Sequence, residues 1–253
     1  MRIIFLILLL PVLVFSQGIT DKHKSVIARK NVAVAGGSTV DTIYSAAGTG
    51  NNGIDASSFI NSVDYTLTQI HDFETRNESE SSSYAYIQLN ASTTQDQFDE
   101  TGNFAITFNV SALDGYTIDS LQFYIVVDVL STDMGDFDIS IVDMDPDPGD
   151  FTNFFHTGSE MNNYGTKFAT ENTADMPTDP AYHVFNLDAN GISNFESGAS
   201  GSGYVAYILD VDDILDETLN DFTWGSGQNN IIYFRTTDFA DATNDPFLRI
   251  VYH

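Results

Sequence analysis

The chain has 253 residues, 42% of them hydrophobic, no cysteine, and 36 acidic residues against nine basic ones for a net charge of −27. That length and apolar share suffice for a real core without disulfides, and the missing cysteines exclude thiolate metal sites and cysteine nucleophiles. So acidic a chain repels nucleic acid and anionic membrane, which leaves Ca²⁺, cationic or mineral surfaces and basic peptide segments as the partners its charge favours.

Residues 1–16 read as a signal peptide. Arg2 is followed by thirteen residues, Ile3 to Phe15, without a polar side chain, and Ser16 and Val14 occupy the −1 and −3 positions for cleavage before Gln17. Such a run, interrupted by Pro11, is too short to cross a bilayer. The mature protein is therefore expected to be secreted and extracellular.

Residues 17–40 read as a basic arm. Lys22, Lys24, Arg29 and Lys30 cluster there, and "SVIARKNVAVAGG" places Val26, Ala28, Val32 and Val34 on one face before Gly36 and Gly37 end the run. This is either the first strand of the chain's own sheet or a strand donated to a neighbour, with self-association through residues 18–37. From Asp41 to His253 only Arg76, Lys167, Arg235 and Arg249 are basic, and all the acids but Asp21 lie there, so this body carries −31.

Residues 41–253 read as one acidic β-sandwich domain. Period-2 alternation runs through "YTLTQI", "YAYIQL", "FAITFNV", "LQFYIVVDV", "FDISIVD", "HVFNL", "YVAYIL", "NIIYFRT" and "FLRIVYH". "LQFYIVVDV", apolar on both faces, suits a central covered strand. Many short strands separated by Gly, Asn, Asp and Ser clusters predict an all-β fold, an antiparallel β-sandwich of jelly-roll type. One short helical insertion is expected at "DDILDETLNDF", with Leu215, Leu219 and Phe222 at helical spacing and acids in its first turn. "ETRNESESSS", "NASTTQDQFDETGN" and "DANGISNFESGASGSG" read as surface loops, the last a flexible one.

The C-terminal half carries a resemblance. "TIDSLQFYIVVDVLS", then "YHVFNLDANGISNF", then a closing "IIYFRTTDFADATNDPFLRIVYH" with Pro246, Leu248, Ile250 and Tyr252 resemble the DNRLRE-type extracellular jelly rolls, which are grouped with carbohydrate-binding modules. The family's Arg-Glu signature is absent, the nearest stretch being "FRTTDF". The resemblance implies a non-catalytic extracellular sandwich, often with bound Ca²⁺ and sometimes with sugar-binding ability.

"DMDPDPGD" is the candidate metal loop. Asp143, Asp145, Asp147 and Asp150 follow directly on the strand "FDISIV", and clustered carboxylates on a loop are the hard oxygen ligands that Ca²⁺ takes. It is not an EF-hand, since Pro148 and Phe154 stand where that loop needs glycine and glutamate. The alternative is a solvated acidic turn. Asp136 and Asp138 in "DMGDFD" form a second cluster at the start of the same hairpin. The acids of "DVDDILDE" fit a helix N-terminal turn better than a metal site.

No enzyme is expected. The histidines lack metal-ligand spacing, no nucleophile elbow or phosphate loop occurs, and with so many acids a carboxylate pair has no diagnostic weight. His183 alternates with Phe185 and Leu187 and reads as a core-edge residue. Trp224 is the candidate sugar platform for a possible polysaccharide partner, with a core plug as the alternative reading. Asn77, Asn90 and Asn109 head glycosylation sequons, which act only if the source glycosylates its exported proteins.

Overall fold

The computed structural model describes residues 32–33, 37–45, 55–71, 77–79, 84–144, 166–237, 239 and 244–253. The signal peptide, most of the basic arm, and Asp145, Asp147 and Asp150 lie outside the described residues.

Two long strands organise the sheet. In chain order the strands are β1 (Val32–Ala33), β2 (Thr39–Tyr44), β3 (Asp55–Tyr65), β4 (Asn77–Ser79), β5 (Tyr84–Ala91), β6 (Phe98–Asn109), β7 (Ile118–Thr132), β8 (Asp138–Met144), β9 (Lys167–Asn172), β10 (Ala181–Asn186), β11 (Tyr204–Val211), β12 (Asn229–Arg235) and β13 (Phe247–Tyr252). β6 pairs with β3 along one edge, while β5 and then β11 share the other. β7 is divided in the same manner. β10 takes one edge, and β13 and β12 follow each other along the opposite one.

The β5–β12 pairing joins these two systems, β8 and β9 extend beyond β11, and β2 and β1 extend beyond β13. Every pairing is antiparallel, and the sheet curls into a half-barrel. The short piece of the arm that is described, Val32–Ala33, pairs with Thr39 and Val40 of its own chain.

The curl brings β6 and β7 face to face. Phe108 meets Phe123 edge-on at 5.9 Å, Phe104 stacks on Phe234 at 6.1 Å, and Phe123 stacks on Phe185 at 6.1 Å. These rings sit in one continuous core. β11 is buried on both faces. Val205, Tyr207, Leu209 and Val211 enter that core, whereas Ala206 and Ile208 join Ala105, Val142 and Met144 on the reverse side.

The helices depart from expectation in three places. "YTLTQI" leaves the sheet after Tyr65 and becomes α1 (Leu67–His71). Thr66 and Gln69 close a reciprocal cap, the Gln69 side chain accepting from the Thr66 amide and the Thr66 hydroxyl accepting from the Gln69 amide. That pattern starts a helix whatever the alternation around it.

"DANGISNFESGASGSG", expected as a flexible loop, contains α2 (Ala189–Ser200). Asp188 caps it by accepting from the amides of Asn190 and Gly191, and Gly191, Phe195 and Ala199 form its buried face. "DDILDETLNDF" makes only the single turn α3 (Asp212–Leu215), because Glu217 adopts a left-handed φ of 53° that ends it. Likewise "FDETGN", expected within a loop, is the start of β6.

Candidate functional site

The Asp residues proposed as metal ligands do not all converge. Asp138 opens β8 and points away from the core. It accepts from the Asn172 amide at 2.6 Å, and its own N–H donates to Asp221 at 3.3 Å. Asp143, five residues on, faces the opposite side, beside its cross-strand partner Tyr207.

At about 3.4 Å per residue that separation is roughly 17 Å, so Asp138 and Asp143 cannot share an ion. Asp136 lies exposed in the turn before β8. The position of Asp143 leaves it at the end of the strand from which the remaining candidate ligands, outside the described residues, follow. Tyr207 is fully buried, and burial first, then the charge of Asp143, hold its phenol far above the ordinary range.

Among the described residues, a dense group of carboxylates lies at the other end of β8. Lys167 on β9 reaches Asp212 and Asp216 at 2.7 Å each. Burial works against its charge, but those two hydrogen bonds raise its pKa overall. Asp212 also accepts from Ser140, which in turn meets Thr170 at 2.6 Å.

Asp213, in the same helical turn, is 2% exposed and accepts from the amides of Asn220 and Asp221. Its carboxyl is pushed up to about 6, mainly by burial and then, against the opposing amide hydrogen bonds, by Asp221 and Asp212. Glu171 is raised by burial and by Asp175 and Asp138. Asp221 is raised by burial and by Asp138 and Asp212. This corner is thus crowded with like charge. Even so, among the described residues no three acidic or histidine side chains are placed to hold a metal ion together.

Trp224, the candidate sugar platform, packs on the core. Its ring is half-buried against the core and its indole N–H donates to the Gln97 carbonyl at 3.0 Å. His183 sits at the core edge as expected, its ring edge-on to Phe185 at 4.9 Å, and burial lowers its pKa. The amide of Asn90 donates to Glu100 at 2.8 Å, and Asn109 donates to the Tyr204 hydroxyl while accepting from Ser111. The side chain of Asn77 lies outside the described residues.

A surface that sequence patterning did not single out is the outer face of β2, β13, β7 and β10. Burial alternates along β2 and β13 and along most of β7 and β10, and the paired registers line the outward side chains into two rows across the strands. One row runs Tyr44, Phe247, Tyr124 and, on β10, Val184, with Tyr182 one step along opposite Val126. Tyr124 stacks on Phe247 at 4.6 Å and 9°, Tyr44 and Tyr182 flank Phe247 at 5.5 and 5.4 Å, and Tyr182 is 36% exposed.

The neighbouring row is polar. It runs Thr42, Arg249, Gln122, Asn186, with Arg249 donating to Gln122 at 2.9 Å and Gln122 donating to Asn186 at 2.7 Å. Arg249 has no carboxylate at ion-pair distance among the described residues, whereas Arg235 is held by Asp128 at 2.6 Å and Lys167 by its two aspartates. The only sequence signal for this face was the polar or aromatic residue at alternate positions of each strand. Which strands lie side by side could not be read from it.

The chain matches no family model, and no curated protein sequence matches it. Among the described residues no helix is long and apolar enough to cross a membrane.

Proposed function

We propose that the protein is an exported, non-catalytic, calcium-associated β-sandwich of jelly-roll type with a structural role in an extracellular matrix, coat, mineralised layer or filament. The observation that carries this reading is the crowding of carboxylates. Glu171, Asp213 and Asp221 all titrate above the usual range, first because they are buried and then because other carboxylates lie near them: Asp175 and Asp138 beside Glu171, Asp221 and Asp212 beside Asp213, and Asp138 and Asp212 beside Asp221; a cation relieves the repulsive part of that shift. The leader-like N-terminus, the −31 body and the DNRLRE-type resemblance support the same reading. In it the protein binds cations or a mineral surface through its carboxylates and joins its neighbours through them or through residues 18–37.

A thermal melt of the mature protein in EDTA and in millimolar Ca²⁺, with wild type beside Asp145→Asn/Asp147→Asn, tests it. A ligand bound only by the folded state adds about 2.7 kcal/mol at a hundred times its dissociation constant. Wild type should therefore melt several degrees higher in Ca²⁺, and the double variant should lose most of the gain. Equal gains in both would reduce Ca²⁺ to a screening ion and "DMDPDPGD" to a solvated turn.

A second reading, a free-standing carbohydrate-binding module, rests on the DNRLRE-type resemblance and on the loop aromatics, of which Trp224 has its indole N–H tied to the Gln97 carbonyl.

A further inference from the structure

We infer that the edge of β2 away from β13 is the docking site of the chain's own basic arm, with residues 27–31 continuing β1 along β2 and Arg29 closing on the buried carboxylate of Asp41. β2 is paired with β13 along its whole length, from Thr39 to Tyr44, but among the described residues its other edge carries only Val32 and Ala33 of β1. A strand edge left with unpaired N–H and C=O groups is a template for another chain. The segment that leads into Val32 arrives on that very edge, so it is the occupant nearest to hand. Its charge fits as well, since Lys22, Lys24, Arg29 and Lys30 meet a body that carries −31.

The register of β1 fixes which residues face one another. Val32 lies opposite Val40 and Ala33 opposite Thr39, so the same antiparallel ladder places Asn31 opposite Asp41, Lys30 opposite Thr42, Arg29 opposite Ile43 and Ala28 opposite Tyr44. Burial along β2 puts Asp41 and Ile43 on the core side, and directly opposed residues share a face. Asn31 and Arg29 therefore come to the core side, Lys30 and Ala28 to the outer one. Asp41 gives this placement its chemistry. It is 3% exposed, its carboxylate accepts from the adjacent Thr42 amide at 2.9 Å, and among the described residues no basic side chain lies at ion-pair distance from it. A carboxylate so buried is costly without a partner. Arg29 stands diagonally across from it, at roughly 7–8 Å, a span that a long side chain covers, and the Asn31 amide stands directly opposite. The inference is independent of the calcium reading and bears on how the proposed assembly forms. An arm held at home guards its own sheet edge and joins neighbours only by exchange, which leaves assembly to the carboxylates.

The chain has no cysteine, so introduced pairs report the register directly. In the mature protein, Lys30→Cys/Thr42→Cys puts two thiols at opposed positions on one face, a separation that a disulfide bridges. Val32→Cys/Val40→Cys is the positive control. Asn31→Cys/Thr42→Cys, whose side chains leave opposite faces, is the negative one. After mild oxidation the first two should close within one chain, seen as the loss of two hydrogens from the intact mass of the monomer, and the third should stay reduced. Melting curves of Arg29→Gln, Asp41→Asn and the double variant test the ion pair. Arg29→Gln should lower the midpoint by several degrees in the wild-type background and by far less in the Asp41→Asn background.

Disulfide-linked dimers in place of the closed monomer would overturn docking within one chain and make the arm a strand donated to a neighbour. Docking of any kind is overturned if Lys30→Cys/Thr42→Cys stays reduced while Val32→Cys/Val40→Cys closes, or if the negative control closes as readily. An equal effect of Arg29→Gln in both backgrounds would remove Asp41 as its partner. Calcium-dependent stabilisation, measured separately, is unaffected by any of these outcomes.

Discussion

Asp213 shows how far a single position can depart from what its neighbours in sequence suggest. It belongs to a run of acids that reads as the first turn of a helix, and Asp212 and Asp213 do occupy that turn. Their side chains act elsewhere. Asp212 holds Lys167, and Asp213 turns inward to tie the chain at Asn220 and Asp221. A carboxyl raised in the folded state to about 6 from an ordinary value near 3.8 binds protons more tightly when folded than when unfolded.

Its contribution is therefore complete below the unfolded pKa and is lost as pH rises through the folded one. Glu171 and Asp221 shift in the same direction and add to the effect. The melting temperature should accordingly rise as pH falls from about 7 towards about 5. About 1 kcal/mol moves the midpoint by roughly 2–4 °C in a domain of this size. Asp213→Asn keeps an acceptor oxygen for the loop amides and removes the charge, so it should raise the melting temperature at neutral pH and flatten the slope. Melts across that range check it; a wild-type midpoint that falls on mild acidification would contradict the assignment.

At the scale of an element, α2 was hidden by its composition. Glycine, serine and asparagine are poor helix formers, and "ANGISNFESGAS" offers an apolar stripe only in Ile192, Phe195 and Ala199. What makes it a helix is the Asp188 cap and close packing. A Cβ on Gly198 would lie 2.5 Å from the Tyr204 carbonyl oxygen and 2.5 Å from a Val205 methyl, and one on Gly191 would lie 2.9 Å from Leu187 Cβ. These glycines are there for proximity, not for flexibility.

Gly198→Ala should thus destabilise the protein, by about 1–3 kcal/mol as overpacking does, although alanine is the better helix former. Asp188→Ala should cost about 1 kcal/mol through the lost cap. Denaturant titrations of both variants check the two magnitudes, and a stabilised Gly198→Ala would refute the close-packing argument.

The same element shows what the sequence could convey. Strands such as "FAITFNV" and "FLRIVYH" were legible because alternation is a local property of the chain. A capping box inside "YTLTQI" and a helix made of small residues are also local, but alternation and composition outweighed them. The aromatic face was not legible at all. Tyr44, Phe247 and Tyr124 come from three strands distant in sequence, and only the register of β13 against β2 and β7 brings them into one row, against which Tyr182 of β10 leans from opposite Val126. Of the proposed metal loop, Asp143 alone can be placed, and the strand that carries it separates it from Asp138.

For the whole molecule the dominant quantity is the charge. At −27, with Lys167 and Arg235 already committed to internal ion pairs, the folded body works against its own repulsion. The repulsion is shared by many exposed groups, so it is long-range and sensitive to ionic strength, with a screening length near 30 Å at about 0.01 M salt and near 10 Å at about 0.1 M. Stability should therefore climb steeply over that interval in NaCl and level off above it, where the screening length falls below the spacing between carboxylate clusters.

This dependence also sets the reference against which Ca²⁺ must be judged. A divalent ion screens more strongly than a monovalent one at equal concentration, so the two salts are compared at equal ionic strength. If CaCl₂ then raises the melting temperature no further than NaCl, the carboxylates act as a diffuse cloud and the calcium reading fails. If millimolar CaCl₂ exceeds the NaCl plateau, the added stability comes from ions held at defined positions, and the Asp145→Asn/Asp147→Asn variant then decides whether "DMDPDPGD" is where they are held.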